Sequence, residues 1–268
     1  MVDPTVTPLP SLARSKTVER RKPRFDRYLA LALLLAIPAL LPLAAPGYFF
    51  GAHDGRHTVF WLLEFDRAFS DGALWPIWVP DHVLGFGYPL WLVYAPLSFF
   101  VAEAFHLLGL GLTAAVKVAW VFWFILGAVG MFRLTRRWWG PGAAMVASLA
   151  YTYAPYHLVD IYVRAALAEF AALAIAPWVL LGLVNVWENP GAKNAALAAL
   201  ALGALLLTHS MAPAVFVPLV VGFVAWKALQ AGVMAVRGRK TKDQSPLQGE
   251  APWSLVLGPS SGPALRSR

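Results

Sequence analysis

Long runs of apolar residues, interrupted by few charges, are the feature of this sequence that most constrains its fold. The run from Tyr28 to about Pro46 approaches the roughly 20 residues that a helix needs to cross the hydrocarbon core of a bilayer. Across the whole chain 59% of residues are hydrophobic and 13% are charged, about half the charged share of an ordinary soluble domain. The sequence therefore predicts an all-α, polytopic membrane helix bundle.

Composition also excludes several functional classes. The chain has no cysteine, which removes disulfide scaffolds, iron–sulfur clusters and cysteine-ligated zinc together. The formal net charge is +8, but the basic residues gather at the edges of apolar runs, where they set membrane topology. We therefore expect membrane lipids and no nucleic acid among the partners.

Basic clusters predict how the chain crosses the membrane. The N-terminal segment before Tyr28, the cluster Arg133, Arg136 and Arg137, and the segment from Arg237 onward should all be cytoplasmic. The later apolar runs cover about 89–109, 113–132, 141–157, 166–187, 194–208 and 211–230. An even number of crossings must separate the first two basic clusters, so one run between them should not cross. We expect 89–109, which contains Pro96, Glu103 and His106, to be interfacial or re-entrant.

This topology divides the chain into three parts, with about six transmembrane helices and both termini cytoplasmic in a cell membrane. Residues 1–27 form a basic disordered start, 28–236 the transmembrane helical region, and 237–268 a cytoplasmic disordered tail rich in Pro, Gly and Ser. Residues 47–112 form a long outer loop that carries interfacial helices, since some 65 residues are too many for a simple connector.

Acidic residues dominate this outer loop, in contrast to the cytoplasmic segments. They are Asp54, Glu64, Asp66, Asp71, Asp81 and Glu103, against Arg56 and Arg67. The spacing of several of them predicts a helix that lies along the membrane surface with a polar groove above it. A solvated face at the lipid headgroups, with the loop's tryptophans as an aromatic belt, is the alternative interpretation.

Asp54 is the strongest candidate for chemistry because it follows the first span within a few residues, at the lipid boundary. A carboxylate in this position can take a proton from an acceptor hydroxyl, or bind a divalent cation that holds a phosphate. Neighbouring His53, Arg56 and His57 could supply positive charge to a phosphate or ligands to a metal, although their spacing matches no established metal signature. A divalent cation thus stays open as a cofactor.

Two further outward turns contribute polar groups. The turn between the third and fourth spans contains Asp160 and Arg164, which could face a cavity or could simply pair with each other at the i, i+4 spacing. The last turn contains His209. Because all these turns open on one side of the membrane, we expect a single outward cavity built from them.

Three stretches of this sequence resemble a known family. "GFGYPLWLVYAPLSFF", "SLAYTYAPYHLVDIYVRAALAEF" and "LLLTHSMAP" are similar to the bacterial membrane family labelled 6-pyruvoyl-tetrahydropterin synthase-related. The order of a basic start, one span, an acid just outside it, a long outer loop and then "RLTRRWWGP" resembles the wider GT-C superfamily of membrane glycosyltransferases. The soluble pterin synthase's zinc-binding histidine set has no counterpart in these spans, so the label is a name and not a function.

The resemblance implies a glycosyltransferase that uses a polyprenyl-phosphate sugar on the outer face. In that family pattern Asp54 matches the first-loop acid that serves as base or metal-linked carboxylate, and Asp160 lies where a second outer acid is often found. Members of the superfamily continue through further spans, so the resemblance also implies that this chain is an N-terminal portion. A non-catalytic protein that binds or moves a lipid-linked glycan, and an inactive fragment, are the alternatives.

Overall fold

The computed structural model describes residues 26–243. The predicted disordered start up to residue 25 and the tail from residue 244 lie outside the described residues. Within 26–243 every regular element is helical, apart from an isolated antiparallel bridge between Val79 and Tyr88. The all-α fold class is therefore confirmed.

Nine α-helices follow one another along the described chain, with shorter helical turns between some of them. They are α1 (Arg27–Leu40), α2 (Gly55–Ser70), α3 (Leu90–Val93), α4 (Leu97–Leu107), α5 (Leu112–Thr152), α6 (Pro155–Val159), α7 (Leu167–Glu188), α8 (Ala192–Leu206) and α9 (Ala212–Asp243). Single turns of 3₁₀ helix occupy Leu41–Ala44 and Val83–Gly85, and a π-turn occupies Asp160–Arg164.

Helix α1 begins with a cap and packs through small residues. The Asp26 carboxylate accepts a hydrogen bond from the Tyr28 backbone N–H at 3.1 Å, which satisfies one of the free donors of the first turn. The buried residues of the helix are all alanines, Ala32, Ala36 and Ala39, and α1 packs against α5. Small side chains on the contact face let the two backbones approach closely, as in other membrane helix pairs.

Helix α5 is folded back on itself at Gly140. The glycine has a φ of +77°. This backbone conformation is energetically unfavourable for any residue that has a Cβ atom. Ser148 Oγ donates a hydrogen bond to the Ala128 carbonyl at 2.9 Å, although 20 residues of straight helix would span about 30 Å. Residues 112–139 and 141–152 are therefore two antiparallel arms, which correspond to the predicted runs 113–132 and 141–157.

Contacts at the two ends show that the helices alternate in direction. Arg136 pairs with Asp26 and Arg137 with Glu188 at one end, which we call the Arg137 end. At the other, the Asp160 end, the Asp54 N–H donates to the Arg164 carbonyl at 2.8 Å. Helix α1, the two arms of α5 and α7 thus run alternately between the ends, with the second arm extended by α6 and the π-turn.

Within residues 26–243, four segments are long and apolar enough to cross a membrane: Arg27–Ala44, Leu112–Thr152, Leu167–Glu188 and Ala212–Met234. The sequence predicts about six crossings. The difference arises because Leu112–Thr152 contains both arms of the fold-back, and because the predicted fifth crossing is α8, an apolar helix of only 15 residues.

The segment between α1 and α5 carries short helices. The run 89–109, predicted not to cross, is divided by Pro96 into α3 and the 11-residue α4, which is about half the length a crossing needs. Helix α2 packs against α4 and α5.

From Ala214 onward the chain forms a separate compact unit, which within the described residues consists of α9 without its first two residues. Its part Ala212–Met234 is one of the apolar segments described above. The helix continues to Asp243. Lys and Arg are good helix formers, and a basic sequence can continue a helix without a break.

Candidate functional site

A sharp turn between α6 and α7 builds the centre of the candidate site. The π-turn Asp160–Arg164 ends at Ala165, which adopts the left-handed region with a φ of +54°. The Ala166 N–H then donates to the Asp160 carbonyl at 3.1 Å. Because the chain reverses here, Glu169 in the first turn of α7 comes to lie beside Arg164.

Asp160 is fully buried and only partly hydrogen-bonded. Its Oδ1 accepts from Arg164 Nη1 at 2.9 Å, whereas its Oδ2 has no hydrogen-bond partner. The pKa of Asp160 is raised to about 7, mainly by burial and also by nearby Glu169, while Arg164 opposes the shift. Loss of water disfavours the charged form of a carboxyl group, so Asp160 can take up or release a proton near neutral pH.

Arg164 links three partners. Besides Asp160, its Nη2 pairs with Glu169 Oε2 at 2.7 Å and its Nη1 donates to the Tyr156 hydroxyl at 2.8 Å. Tyr156 in turn donates to Glu169. The hydrogen bond to Glu169 is the largest influence that raises the pKa of Arg164. The i, i+4 pairing offered by the sequence is thus present, inside a larger network.

Asp54 reaches this network through its backbone. The His53 and Asp54 N–H groups donate to the Val163 and Arg164 carbonyls at 3.1 and 2.8 Å. Thr58 Oγ1 reinforces the junction by donating to the Ala165 carbonyl at 3.2 Å. These bonds fix the start of α2 against the π-turn, although the two segments are far apart in sequence.

The Asp54 side chain is half-buried and makes no hydrogen bond or ion pair within the part of the chain that the structure describes. It stands at the N-cap position of α2, where the helix dipole favours negative charge. The carboxylate is therefore available to an incoming group.

Gly55 shows how closely the chain approaches itself here. A Cβ at this position would lie 2.0 Å from the Phe49 carbonyl oxygen. Any larger residue would push the start of α2 away from the preceding loop, so the position of Asp54 depends on the glycine that follows it.

Of the remaining predicted site residues, one lies near the network and the others are exposed. His209 lies close enough to Glu169 and Arg164 for both to act on it, and burial lowers its pKa. His53, Arg56 and His57 are exposed. Arg56 Nε donates to the Phe50 carbonyl at 3.3 Å, and the His57 ring stacks on Trp61 with centroids 5.6 Å apart.

No group of three or more His, Asp or Glu side chains within residues 26–243 is arranged to hold a metal ion. The possible ligand set His53, Asp54 and His57 is therefore not brought together in the described structure.

Sequence reasoning missed three members of the network as site residues: Glu169, Tyr156 and Tyr94. Burial raises the pKa of the Tyr94 phenol, and Asp54, Glu169 and Asp160 all lie near enough to add to the shift. Glu169 carried a signal as an acid at the start of an apolar run. The turn at Ala165 that directs it towards Arg164 has no such signal, because a non-glycine residue rarely adopts that conformation.

Comparison with family models gave one match. A membrane-protein family described as 6-pyruvoyl-tetrahydropterin synthase related domain matches residues 92–244, which is more than half of the chain. The matched region contains Asp160, Arg164, Glu169 and His209, and Asp54 precedes it. Comparison with curated proteins gave no match, and comparison with solved structures gave none.

Proposed function

The chain belongs to the 6-pyruvoyl-tetrahydropterin synthase related family of membrane proteins, and we propose on this basis that its substrates are reached from a bilayer. We propose that it is a GT-C-type glycosyltransferase, or the N-terminal portion of one, that transfers a sugar from a polyprenyl-phosphate donor. The observation that carries the proposal is the backbone junction between Asp54 and Arg164. It lies beside a buried acid and an arginine at one end of a bundle of apolar helices, and the Asp54 carboxylate has no hydrogen-bond or ion-pair partner among the described residues.

In the proposed reaction Asp54 acts as the general base. The acceptor hydroxyl oxygen attacks the anomeric carbon, its proton passes to the Asp54 carboxylate, and the bond from the anomeric carbon to the phosphate oxygen breaks. Polyprenyl phosphate leaves with the bonding electrons. The absence of a hydrogen bond to the Asp54 side chain supports this role, because a base has to be free to receive the proton.

Positive charge for the donor phosphate would come from Arg164 and the exposed Arg56. The Arg164 guanidinium is shared with two acids, which reduces its attraction for an anion. Protonation of Asp160, whose pKa burial raises to about 7, removes one of those negative charges. A protonated Asp160 would thus favour approach of the phosphate, and His209 lies near Glu169 and Arg164.

The site belongs on the outer face of a cell membrane in this proposal, with a multi-pass chain and both termini cytoplasmic. The support is the position of the basic cluster. Arg136 and Arg137 lie at the opposite end of the bundle from Asp160, and loops rich in Lys and Arg stay on the cytoplasmic side.

The rate of sugar transfer by an Asp54→Asn variant tests the assignment of Asp54 as the general base. Membrane vesicles that contain the full chain would be given radiolabelled polyprenyl-phosphate mannose or polyprenyl-phosphate glucose, and label in acceptor glycans would be counted. We expect Asp54→Asn to lower the rate about 10²- to 10⁴-fold, the usual contribution of a general base, at an equal amount of protein.

Glu188→Gln is the matched control, since it makes the same change from acid to amide at the Arg137 end. It should transfer at the wild-type rate. Wild-type transfer by Asp54→Asn would contradict the role of Asp54. Absence of transfer by the wild-type chain from both donors would contradict the proposed activity itself.

A further inference from the structure

A second concave site lies along α2 and the segment that follows it, away from the Asp54 carboxylate. It is a cavity of about 550 Å³, within the roughly 300–1,000 Å³ of small-molecule sites. Among its lining residues are Glu64, Asp66, Arg67, Asp71 and Trp78. Neither the family match nor the proposed reaction assigns a role to it.

One carboxylate in the wall is left with an unused acceptor. Glu64 is 1% exposed. Its Oε1 accepts from Arg67 Nη1 at 2.8 Å, whereas its Oε2 is buried and has no hydrogen-bond partner. Buried polar atoms in folded proteins are almost always satisfied, so this oxygen is an exception, and because it is buried it does not face the open cavity.

The charge of the cavity is negative. Arg67 is held by Glu64 and also by Asp81, whose Oδ2 accepts from Nη1 at 2.8 Å. Its positive charge is therefore already shared between two acids. Asp66 and Asp71 add two further carboxylates to the wall, so the cavity disfavours a phosphate or any other anion.

Trp78 provides a fixed aromatic surface at the same cavity. Its side chain is about half exposed (51%), and the backbone of Gly87 covers part of the ring. A Cβ at Gly87 would lie 2.4 Å from Trp78 Cζ2, so only glycine permits this contact. Paired backbone hydrogen bonds between Val79 and Tyr88, of 2.8 and 2.9 Å, hold the segment that carries the indole in place.

We propose that this cavity binds an uncharged saccharide. Carboxylates accept hydrogen bonds from sugar hydroxyls, and the accessible residues Asp66 and Asp71 in the wall offer such acceptors. The exposed indole presents a flat apolar surface for the C–H face of a sugar ring. The negative wall separates this glycan from the phosphate of a lipid-linked donor. Its role as the acceptor site rests on the proposed transferase function, whereas saccharide binding does not.

Saturation-transfer difference NMR on the full chain tests the binding. The protein would be held in lipid nanodiscs free of glycolipid, with a chelator present so that no cation bridges ligand and carboxylate. The probes are methyl α-mannoside, methyl β-glucoside and methyl α-galactoside, without any lipid-linked donor. We expect saturation of the ring protons of at least one glycoside by the wild-type chain.

Trp78→Ala and Asp71→Asn should each weaken this binding about tenfold or more, the scale of a lost central contact. Gly87→Ala should also weaken it, because the added methyl group displaces the indole without removing it. Trp75→Ala is the matched control, since Trp75 is similarly exposed (48%) but does not line the cavity. Near-UV circular dichroism would show that each variant is folded.

No saturation transfer from the three glycosides, or equal transfer with wild type and Trp78→Ala, would overturn the proposal. Loss of binding in Trp75→Ala to the same degree would overturn the assignment to this cavity. Because no donor is present, binding can succeed where transfer fails. Saccharide binding by a chain that transfers no sugar would support this inference and contradict the proposed enzyme activity.

Discussion

Replacing Asp160 with Asn should make the protein more stable at pH 7 and above, because it removes a carboxylate that has to ionise inside the protein. Burial raises the pKa of Asp160 to about 7, whereas an aspartate in an unfolded chain titrates near 3.9. Between those values the folded chain holds the proton and the unfolded chain has released it. The free energy of unfolding therefore falls as the pH rises from about 4 to about 7.

The size of the effect follows from the difference between the two pKa values. About three pH units at 1.36 kcal/mol each give an upper figure of about 4 kcal/mol of stability lost by the wild type above pH 7. Asn keeps an oxygen that can accept from Arg164 Nη1, which stands 2.9 Å from Asp160 Oδ1. The variant should therefore match the wild type below pH 4 and exceed it above pH 7.

Thermal unfolding in detergent, followed by the fluorescence of the chain's twelve tryptophans, provides the assay. At pH 8 the variant's Tm should exceed the wild-type value by several degrees, since about 1 kcal/mol shifts the Tm of a chain of this size by roughly 2–4 °C. The difference should vanish at pH 4. Glu188→Gln, at the Arg137 end, is the control. Parallel pH profiles, or a lower Tm for Asp160→Asn at pH 8, would refute the reasoning.

Two further substitutions test the packing of the bundle by thermal unfolding. Gly130→Ala should destabilise the fold by about 1–3 kcal/mol through overpacking, because the new Cβ would lie 2.5 Å from Trp178 Nε1. Gly142→Ala is the control, since its Cβ would meet nothing within 4 Å. Equal Tm values for the two variants would count against the contact between Gly130 and Trp178. Ser148→Ala should lower the free energy of unfolding by about 1 kcal/mol, because it removes the hydrogen bond to the Ala128 carbonyl. An unchanged Tm would argue against the fold-back of α5.

Much of the helical architecture could be predicted from the sequence, since length and apolarity decide which segments are helical in a membrane protein. The fold class followed directly. The basic cluster around Arg136 and the need for an even number of crossings singled out 89–109 as non-crossing, and the structure divides that run into two short helices. Charge placement carried this information because it acts through topology rather than through side-chain packing.

The candidate site was only partly predictable. Asp54, Asp160, Arg164 and His209 were each identifiable as ionisable residues beside apolar runs, and the structure brings them to one end. Their junction depends on the left-handed backbone of Ala165, for which an alanine gives no signal.

The three candidates beside Asp54 show the opposite case. His53, Arg56 and His57 lie close together in sequence, but all three are exposed, and within the described residues they form no metal-holding group with Asp54. Proximity along the chain therefore did not indicate a shared metal site, whereas Glu169, which is far from Asp54 in sequence, pairs with Arg164 at the same end.

Photo-crosslinking with a benzophenone-bearing polyprenyl phosphate tests the central claim most directly, because it locates the lipid phosphate without depending on transfer. The full chain in membrane vesicles would be irradiated with the probe, and the modified peptides would be identified by mass spectrometry. We predict adducts at the Asp160 end, in the segments 48–58 and 153–166, and fewer adducts when unlabelled polyprenyl phosphate competes. Adducts confined to the Arg137 end, or labelling that the competitor does not reduce, would contradict a lipid-phosphate site beside Asp54 and Arg164.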